Sequence, residues 1–590
     1  FVRLQPCSWV HCGVARRTYL RMMDVEQALA VLLAHVRWPT PPRSARVPVE
    51  DALGRVAARA AFALRSSPAH HGAAMDGFAV RSAETATASA AAPVQLLKGA
   101  QAAPVDTGDA LPEGFDAIVM IEDVCESEDA VEIAQAVPPY KHVRLAGEDV
   151  VVGELVVPTG KALSAFDIGA LLAAGVTEIE VREPPRVALL PTGTELVEPG
   201  APVAPGEVVE FNTRMLAALL HTWGAKPQRL PPVPDERARI ESAVRAALVD
   251  HDVVVINAGS SAGREDFTPD VIASVGELLV HGINIMPGKP TALGVSREGK
   301  ALVGLPGYPV SAVVAAERIL RPLVAACLGV SPVERETLGA RVMRKLPSNI
   351  GHEEVIRVQV GHVRGQWIAT PMRRGAGVIT SLSRANGLLV IPALSEGFDA
   401  GQEVSVSLLV PRGEAAATLV HVGSHDLALD VAGDLVRARH PGRALASTNV
   451  GSLAGLYALA RGECHLAGTH LLWPETGAYN LPYVERVCQN LAVTLVHLAL
   501  REQGLTVKKG NPKSIRGIAD VARADVEFVN RQRGAGTRVL FDAKLAEAGL
   551  AASQVRGYAR EEQSHMAAAM AVASGVADCA LTIRAAAQAL

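Results

Sequence analysis

Two short loops of this chain carry residues suited to holding an anion. The first is Gly288-Lys289-Pro290-Thr291, and the second, one strand-plus-helix unit further on, is Gly304-Leu305-Pro306-Gly307-Tyr308-Pro309-Val310-Ser311. The apolar run 300–305 predicts a buried strand leading into the second loop. Two prolines stiffen that loop, and Ser311 is placed to cap an apolar helix over 312–320, whose free N–H groups attract anions. The loops therefore predict an oxyanion or phosphate site, with Lys289 as a point charge.

Two further loops with acidic ends follow other apolar strands. One covers 191–195 and ends in Glu195, and the other covers 257–266 and ends in Asp266. Ligands of open α/β sheets bind beyond the carboxyl ends of strands, where these loops would lie. The glycines of 257–266 would let backbone N–H groups approach a phosphate, and Glu195 and Asp266 are candidate Mg²⁺ ligands. A Gly/Ser loop alone is usually only a turn, so the coincidence at three strand ends is what favours a site.

The composition limits where positive charge for such a site can come from. The 590 residues are 49% hydrophobic and 20% charged, with a formal net charge of −4. This is typical of a soluble globular protein without the basic surface that nucleic acid requires. Any anion must therefore be held locally, and the length predicts about four domains.

The cysteine pattern and the hydropathy indicate the compartment. Seven cysteines are scattered without a Cys-x-x-Cys pair, which favours a reducing compartment and argues against structural zinc. No apolar stretch approaches the ~18 residues that span a bilayer, and the first twenty residues lack the apolar run of a signal peptide. We therefore expect a cytoplasmic protein without membrane or nucleic-acid partners. Residues 1–21 are expected to be a disordered tail, and truncation of the last domain stays open.

The elements that would position the loops fall into successive segments. Asp24 and Gln27 predict a capping box that starts a helix over 24–36, and short β-type runs predict a β-rich, elongated region over 22–185. Alternating strands and helices predict a doubly wound α/β domain over 186–330, and short strands with Gly and Pro turns predict a small β-barrel over 331–412. A linker near 413–417 leads into a second α/β domain over 418–590.

That last domain contains three more small-residue loops before predicted helices. They carry Ser424, Ser452 and Thr537, each of which could offer a hydroxyl to one ligand. Simple helix capping explains each of them equally well. The histidines at 70–71, 421, 425, 465 and 470 lack the neighbours of a defined metal site, so we expect most of them to be surface or core residues. Cys464 is expected to be a buried thiol.

Seven sequence blocks between about 24 and 412 resemble, in order, the molybdopterin molybdenumtransferase family, which includes the E domain of gephyrin. The blocks are Ala-Met-Asp-Gly-Phe-Ala-Val (74–80), Thr-Gly-Asp-Ala-Leu-Pro (107–112), Val-Met-Ile-Glu (119–122), Arg-Leu-Ala-Gly-Glu-Asp (144–149), Thr-Gly-Thr-Glu-Leu (192–196), Pro-Gly-Lys-Pro (287–290) and Ala-Asn-Gly-Leu-Leu-Val (385–390). The loops of Ser424, Ser452 and Thr537, with 468–470 and 557–562, resemble a type II periplasmic-binding-protein-like domain, similar to LysR substrate-binding domains.

The first resemblance implies a reaction and its partners. Adenylylated molybdopterin and molybdate, or tungstate, would react with Mg²⁺ to give molybdenum cofactor and AMP. The protein would be a homodimer whose site lies between the α/β domain of one subunit and the β-rich domain of the other, and molybdopterin adenylyltransferase would be a protein partner. An oxyanion such as molybdate or tungstate is the expected ligand of the C-terminal domain.

The resemblance also implies roles for matching residues. Glu195 and Asp266 would be metal ligands. For Asp76 and Asp235 a purely structural role stays open, since Asp76 could be a turn residue and Asp235 a helix cap. The catalytic residues would be Asp76, Thr107, Asp149, Glu195, Asp235, Asp266 and Lys289. The substrate-binding residues would be Gly259, Ser260, Gly263, Arg264, Gly288, Pro306, Gly307, Pro309 and Ser311.

Three departures from the family pattern keep alternatives open. Met286 stands where the family usually has Lys, Tyr308 where it has Asn, and Ala-Gly-Ser-Ser-Ala (258–262) where it has Ser-Gly-Gly-Val-Ser. Arg264 could replace the missing positive charge. Retention of Glu195, Asp266 and Lys289 favours an enzyme, whereas Met286 and the altered loop favour a non-catalytic oxyanion sensor or scaffold protein. A tungsten-specific transferase is the third reading.

Overall fold

The computed structural model of the chain describes residues 22–258, 266–372, 374–424, 426–473 and 475–590. The expected tail over 1–21 lies outside these residues. Along the described chain the sheets follow the predicted order: small β-sheets, a six-stranded α/β sheet, a closed barrel and a two-lobed α/β region. None of the described helices combines the length and the apolar run that a bilayer span needs.

The first segment is built from short strands, because turn residues interrupt every apolar run. Asp24 begins the first helix, since its Oδ1 accepts hydrogen bonds from the backbone N–H groups of Glu26 and Gln27 at 2.9 and 3.3 Å. The elements are α1 (Val25–His35), β1 (Ser44–Pro48), β2 (Ala61–Phe62), β3 (Gly72–Ala73), β4 (Gly77–Val80), β5 (Val94–Leu97), β6 (Ala102–Val105), β7 (Ala117–Met120), β8 (Val124–Glu126), β9 (Ala130–Ile133), β10 (Val143–Arg144), β11 (Leu155–Val157), α2 (Ala165–Ala173) and β12 (Glu178–Arg182).

The second segment forms a sheet with helices on both faces. Its elements are β13 (Arg186–Pro191), β14 (Leu196–Val197), β15 (Val208–Val209), α3 (Asn212–Thr222), β16 (Lys226–Arg229), α4 (Arg237–Asp250), β17 (Val253–Ala258), α5 (Thr268–Val275), β18 (Gly276–His281), β19 (Ile285–Met286), β20 (Ala292–Ser296), β21 (Ala301–Pro306) and α6 (Pro309–Leu328). The strand order is β16-β13-β17-β21-β20-β18, and the first four of these strands are parallel.

Alternation along these strands explains the doubly wound arrangement. Leu189 and Val255 face a core shared with α3 and α6, whereas Leu190 and Ile256 face a core shared with α4 and α5. Since successive strand side chains point to opposite faces, a run of buried residues covers both sides of the sheet. Helix α1 packs into the first of these cores through Leu32, so it joins the α/β sheet rather than the β-rich segment.

The third segment is the predicted small barrel. Its elements are β22 (Thr337–Val342), β23 (Leu346–Pro347), β24 (Glu353–Val363), β25 (Gln366–Pro371), α7 (Thr380–Arg384), β26 (Gly387–Ile391), β27 (Gly397–Phe398) and β28 (Glu403–Leu408). Five strands close into a ring, because β24 pairs with β25 on one side and with β26 on the other, while β22 joins β25 and β28. Ile356, Val358 and Val406 fill its core.

The fourth segment has two sheets, which define two lobes. Its elements are α8 (Arg412–Ala416), β29 (Thr418–Gly423), α9 (Leu427–Arg439), β30 (Ala444–Asn449), α10 (Ser452–Ala460), β31 (Leu466–Gly468), α11 (Leu481–Val487), β32 (Gln503–Val507), β33 (Phe528–Arg531), α12 (Gly536–Glu547), β34 (Glu561–Glu562), α13 (His565–Ala573), β35 (Cys579–Ile583) and α14 (Arg584–Gln588). The first lobe contains the sheet β30-β29-β31, and the second lobe contains the sheet β32-β35-β33-β34.

The first lobe is packed directly on the barrel. The segment expected to be a linker forms helix α8, whose Ala415 is fully buried in the barrel core. Val363 of the barrel shares an apolar cluster with Val420 and Val422 of β29. At Gly361 the contact is so close that a Cβ would lie 2.3 Å from Cγ2 of Val420. The barrel and the C-terminal region therefore share buried surface.

Candidate active site and C-terminal cleft

Three predicted loops meet at one edge of the α/β sheet. Parallel pairing sets Pro191 opposite Asn257, and Ala258 opposite Pro306, so the carboxyl ends of β13, β17 and β21 are neighbours. The buried side chain of Asn257 donates a hydrogen bond from Nδ2 to the carbonyl of Pro306 at 2.8 Å. The backbone N–H of Thr192 donates to the carbonyl of Asn257 at 3.0 Å. These bonds fix the loops that the sequence predicted to form a site.

Glu195 and Asp235 lie on adjoining loops at this edge. The carboxylate of Asp235 accepts a hydrogen bond from the N–H of Thr194 at 3.4 Å, and the N–H of Asp235 donates to the Thr194 hydroxyl at 3.2 Å. Glu236, not Asp235, is the N-cap residue of α4, so the helix-cap reading of Asp235 is wrong. The backbone of Gly193 passes close to the half-buried side chain of Glu195. A Cβ added at Gly193 would lie 2.9 Å from each carboxylate oxygen of Glu195.

Asp266 lies beside the other two predicted loops. Its Oδ1 accepts a hydrogen bond from the N–H of Thr268 at 3.1 Å. Asp266 also lines a small pocket together with Ala258, Pro290 and Pro306. The structure thus joins Asp266 to the loops of Lys289 and Pro306. Four other predicted residues, Gly259, Ser260, Gly263 and Arg264, lie outside the described residues.

The loop from Pro306 to Ser311 differs from the prediction at the helix start. Tyr308 is the N-cap residue and α6 begins at Pro309, so Ser311 lies in the first turn, where it is buried and does not cap the helix. The proline ring fits the first helical position because that position needs no N–H partner. The N–H of Val310 donates to the carbonyl of Ala376 at 3.0 Å, so this donor already has an acceptor. The carbonyl of Gly307 accepts from Nδ2 of Asn212 at 2.5 Å.

The Lys289 loop lies against the start of barrel strand β24. The carbonyl of Gly288 accepts the Thr291 hydroxyl at 2.8 Å, which closes the loop as a turn. Met286 stands opposite Glu354 in the pairing of β19 with β24. Burial lowers the pKa of the nearby His352 imidazole, and the charge of Lys289 lowers it further. The ammonium of Lys289 therefore acts at the junction of the α/β sheet and the barrel.

The barrel contributes arginines that sequence reasoning missed. Arg357, buried in β24, donates hydrogen bonds to the carbonyl of Gly375 and to the hydroxyl of Ser381, both at 3.1 Å. Burial lowers the pKa of the Arg357 guanidinium, as does the charge of Arg374. Arg357 supports the segment whose Ala376 carbonyl meets α6. A charged residue inside the apolar run 355–358 was the signal, because arginine is rarely buried without a specific partner.

Asp76 and Thr107 come together in the β-rich segment. The N–H and the hydroxyl of Thr107 both donate to Oδ1 of Asp76, at 2.6 and 2.7 Å. These bonds lower the pKa of the exposed Asp76 carboxyl, because they favour its ionised form. Asp149 is also exposed, and its N–H donates to the carbonyl of Ser67 at 3.0 Å. Within the described residues, neither carboxylate hydrogen-bonds to residues 186–330.

The three hydroxyl residues predicted for the C-terminal domain converge. Ser424 and Ser452 of the first lobe have Oγ atoms 2.6 Å apart. Thr537 of the second lobe lies 3.4 Å from Nε2 of His470, and the N–H of His470 donates to Oγ of Ser452 at 3.1 Å. Ser424 and His470 line a cavity of about 980 Å³. His425 lies outside the described residues.

No group of three or more histidine, cysteine or acidic side chains is arranged as a metal site in the described parts of the chain. The prediction that Cys464 is a buried thiol is confirmed, since its side chain is enclosed in the apolar cluster between barrel and first lobe. Burial raises the pKa of this thiol to about 12, which keeps it protonated.

Models of four known domain families match successive parts of the chain. The MoeA N-terminal region, domains I and II, matches residues 23–175, and a probable molybdopterin binding domain matches 188–326. The MoeA C-terminal region, domain IV, matches 339–409, and a domain of the PBP superfamily matches 433–590.

Individual proteins resemble the first two thirds of the chain. A putative molybdopterin biosynthesis protein of Methanocaldococcus jannaschii is 30% identical over 379 residues, which cover 62% of this chain and 92% of that protein. Molybdopterin molybdenumtransferase 2 of Mycobacterium tuberculosis is 31% identical over 388 residues, 62% of this chain and 95% of the relative. The crystal structure of the molybdopterin biosynthesis MoeA protein of Pyrococcus horikosii has 32% identity and a TM-score of 0.58, and it aligns over 66% of this chain and all of that structure.

Proposed function

This chain belongs to the molybdopterin molybdenumtransferase family, and from that premise we propose that it inserts molybdate into adenylylated molybdopterin, releasing AMP and forming molybdenum cofactor. The observation that carries the proposal is the convergence at the sheet edge. Asp266 and Pro306 line one pocket, and Asn257 ties the Pro306 loop to the loop of Thr192. Three loops predicted from separate stretches of sequence thus serve one site.

The acidic residues fit the Mg²⁺ ion that this reaction would use. Glu195 and Asp266 follow neighbouring strands and are both half-buried, and carboxylate oxygens are the ligands that Mg²⁺ prefers. Two carboxylates without a third suit an ion that keeps several waters and also binds substrate phosphates. Bound there, Mg²⁺ would neutralise charge on the phosphate oxygens. Glu195 and Asp266 would hold it, and Asp235 would position the Thr194 backbone beside it.

The cations of the site would hold the anionic groups. Lys289 brings one ammonium to the junction with the barrel, where buried Arg357 supports the segment that contacts α6. These groups can receive molybdate or the phosphate oxygens of the nucleotide, since charge-assisted hydrogen bonds to such oxygens are strong. Arg264 would add a second cation in place of the lysine that Met286 replaces. Selection of tungstate instead of molybdate is the main alternative within this reaction class.

The carboxylates of the β-rich segment would complete the site of a second copy of the chain. Asp76 and Asp149 are exposed and make no described hydrogen bond to residues 186–330, which supports a role across a homodimer. The two bonds from Thr107 keep the Asp76 carboxylate ionised and oriented. Molybdopterin adenylyltransferase would deliver the activated substrate to this dimer.

The C-terminal domain would bind a small oxyanion, molybdate or tungstate. The convergence of Ser424, Ser452 and Thr537 from two lobes supports this role, because hydroxyl donors from facing loops can surround one ligand. The domain would then sense or store the oxyanion that the transferase consumes. The alternative is a protein that only senses the oxyanion. Met286, which stands where the family usually has Lys, favours that alternative.

The test measures AMP release and cofactor formation from adenylylated molybdopterin and Mg²⁺, with either molybdate or tungstate. The variant Asp266→Ala removes one proposed Mg²⁺ ligand, and Asp270→Ala removes an exposed carboxylate in the first turn of the next helix as a matched control. We expect Asp266→Ala to lose at least tenfold in rate and Asp270→Ala to retain it. If the parent protein released no AMP with either oxyanion, the sensor reading would replace the enzyme.

A further inference from the structure

Two arginines whose side chains are largely buried lie where the two C-terminal lobes meet. Arg501 precedes β32 and has a side chain that is 14% exposed, and Arg531 ends β33 and is 3% exposed. Burial, followed by the charge of Arg501, lowers the pKa of the Arg531 guanidinium to about 10, so Arg501 lies close enough to act on Arg531. Both charges also act on the ring of His470. A buried pair of like charges is costly unless an anion compensates it.

The described contacts of the Arg501 guanidinium include one carboxylate and two imidazole nitrogens. Its Nε lies 3.0 Å from Oδ2 of Asp426, which is its one described ion pair. Its Nη1 lies 3.1 Å from Nδ1 of His470, and its Nη2 lies 2.7 Å from Nε2 of His565. Since arginine only donates, these two ring nitrogens must accept, and each imidazole is therefore neutral in this arrangement.

Arg531 forms no ion pair with a carboxylate in the described part of the chain. Its Nε and Nη2 donate to the backbone carbonyls of Glu562 and Gln563, at 3.1 and 3.0 Å. Its Nη1 is buried and has no hydrogen-bond acceptor in the described part of the chain. The charge of Glu562 acts on Arg531 from a greater distance, without a described ion pair. A donor left without a partner in a buried, doubly charged location indicates that a ligand supplies the acceptor.

We propose that the cleft between the two lobes binds a doubly charged tetrahedral oxyanion, with Arg501 and Arg531 supplying the positive charge and Ser424 and Ser452 supplying hydroxyl groups. The Thr537 hydroxyl already donates to Oε1 of Gln503 at 2.8 Å, so it is not one of these donors. This inference rests on the oxyanion-binding role proposed above and adds the groups that carry the charge. The shared chemistry includes molybdate, tungstate, sulfate and phosphate. A carboxylate offers only two oxygens to donors that approach from both lobes, and a metal cation would be repelled by the guanidinium groups.

The test titrates the full chain carrying Lys289→Ala, so that binding at the transferase site is weakened, with molybdate, tungstate, sulfate or phosphate in a calorimeter. We expect one anion per chain to bind. Arg531→Gln in the same background should weaken binding at least tenfold, because it removes one charge-assisted contact. The matched control is Arg533→Gln, which removes an exposed arginine two residues away, and it should leave binding unchanged.

A second variant keeps the test decisive if Arg531→Gln fails to fold. Ser452→Ala removes one hydroxyl from a small, fully buried residue, and we expect it to weaken binding about fivefold to tenfold. Absence of binding by all four anions, or equal affinity in the parent, Arg531→Gln and Ser452→Ala chains, overturns the proposal. Preference for sulfate or phosphate supports the anion site and overturns only the choice of a metal oxyanion. Anion binding without AMP release would keep this inference while ending the enzymatic proposal.

Discussion

The N–H and the hydroxyl of Thr107 converge on a single carboxylate oxygen, Oδ1 of Asp76. This double contact orients a carboxylate that is otherwise exposed, and it holds the pKa of Asp76 below its ordinary value. Gly77, the next residue, has a backbone that passes so close to β7 that a Cβ would lie 2.0 Å from the carbonyl of Val119. Gly77 therefore allows the backbone to pass close to β7, and the bonds from Thr107 fix the orientation of the Asp76 carboxylate.

The first prediction concerns this contact. Thr107→Val removes the hydroxyl donor but keeps the N–H donor, so the Asp76 carboxylate loses one of its two restraints. We expect kcat/KM for AMP release to fall about tenfold, because a carboxylate that is held less firmly is less often in the orientation that the reaction needs. Thr107→Ser keeps both donors and should retain most of the activity. Equal loss in both variants, measured by steady-state kinetics at neutral pH, would contradict the proposed role.

A second prediction concerns Met286. This residue stands opposite Glu354, whose carboxylate forms an ion pair with Arg374 at 3.2 Å. Met286→Lys would add an ammonium beside the Lys289 loop, and we expect it to lower KM for molybdate about threefold to tenfold. Glu354 would neutralise part of the new charge, which limits the gain. Met286→Leu, which changes the side chain without adding charge, is the control, and identical KM values in the two variants would exclude an electrostatic effect.

A third prediction concerns the contact between the barrel and the first lobe. Gly361→Ala places a Cβ 2.3 Å from Cγ2 of Val420, so the side chain or the strand must move. We expect the free energy of unfolding to fall by about 1–3 kcal/mol, the usual cost of overpacking. Gly504→Ala, also in a strand but with open space around the added methyl group, is the control. Thermal unfolding of both variants checks this, and equal Tm values would contradict the close contact.

A fourth prediction concerns His470. Burial, followed by the charges of Arg501 and Arg531, lowers the pKa of its imidazole to about 3. Because the folded pKa lies below the value of about 6.5 in the unfolded chain, this group stabilises the fold fully above pH 6.5, and the contribution is lost as pH falls towards 3. We expect a loss of about 1.4 kcal/mol per pH unit in that window.

The measurement compares the parent chain with His470→Gln by calorimetric unfolding between pH 4 and 8. The glutamine cannot take up a proton, so the difference in unfolding free energy between the two chains should change with pH below 6.5 and stay constant above it. Asp426, Arg501, Arg531 and His565 are present in both chains, so their contributions to the pH dependence cancel in this difference. A pH-independent difference would show that His470 titrates normally.

The sequence predicted the α/β sheet and the barrel well because both have strong periodic patterns. The strand predicted over 300–305 corresponds to β21 (Ala301–Pro306), and the barrel predicted over 331–412 contains β22 to β28. The predicted cap at Ser311 was wrong by three residues, since Tyr308 is the N-cap and Pro309 fits the first helical position.

Residues of the candidate site were predicted where they lie in motifs at strand ends and were missed where they act from a distant segment. Glu195, Asp266 and Pro306 belong to loops that a parallel sheet must bring together. Arg357 supports the α6 loop through Gly375 and Ala376, a contact that depends on how the barrel packs. Arg531 sits within an apolar strand pattern, Phe528–Arg531, where its charge was visible but its neighbours were not.

Strand β24 connects the neighbourhood of the Lys289 loop to the C-terminal region. Its first residues pair with β19 next to the Lys289 loop, and its last residues, Gly361 to Val363, lie under Val420 of the first lobe. One continuous strand thus forms part of two different cores. Removing the residues after 411 would expose Val363 and Ile368 to solvent and leave an apolar patch on the barrel. A shortened protein would therefore tend to aggregate, and separate production of its two halves would require polar replacements on that face.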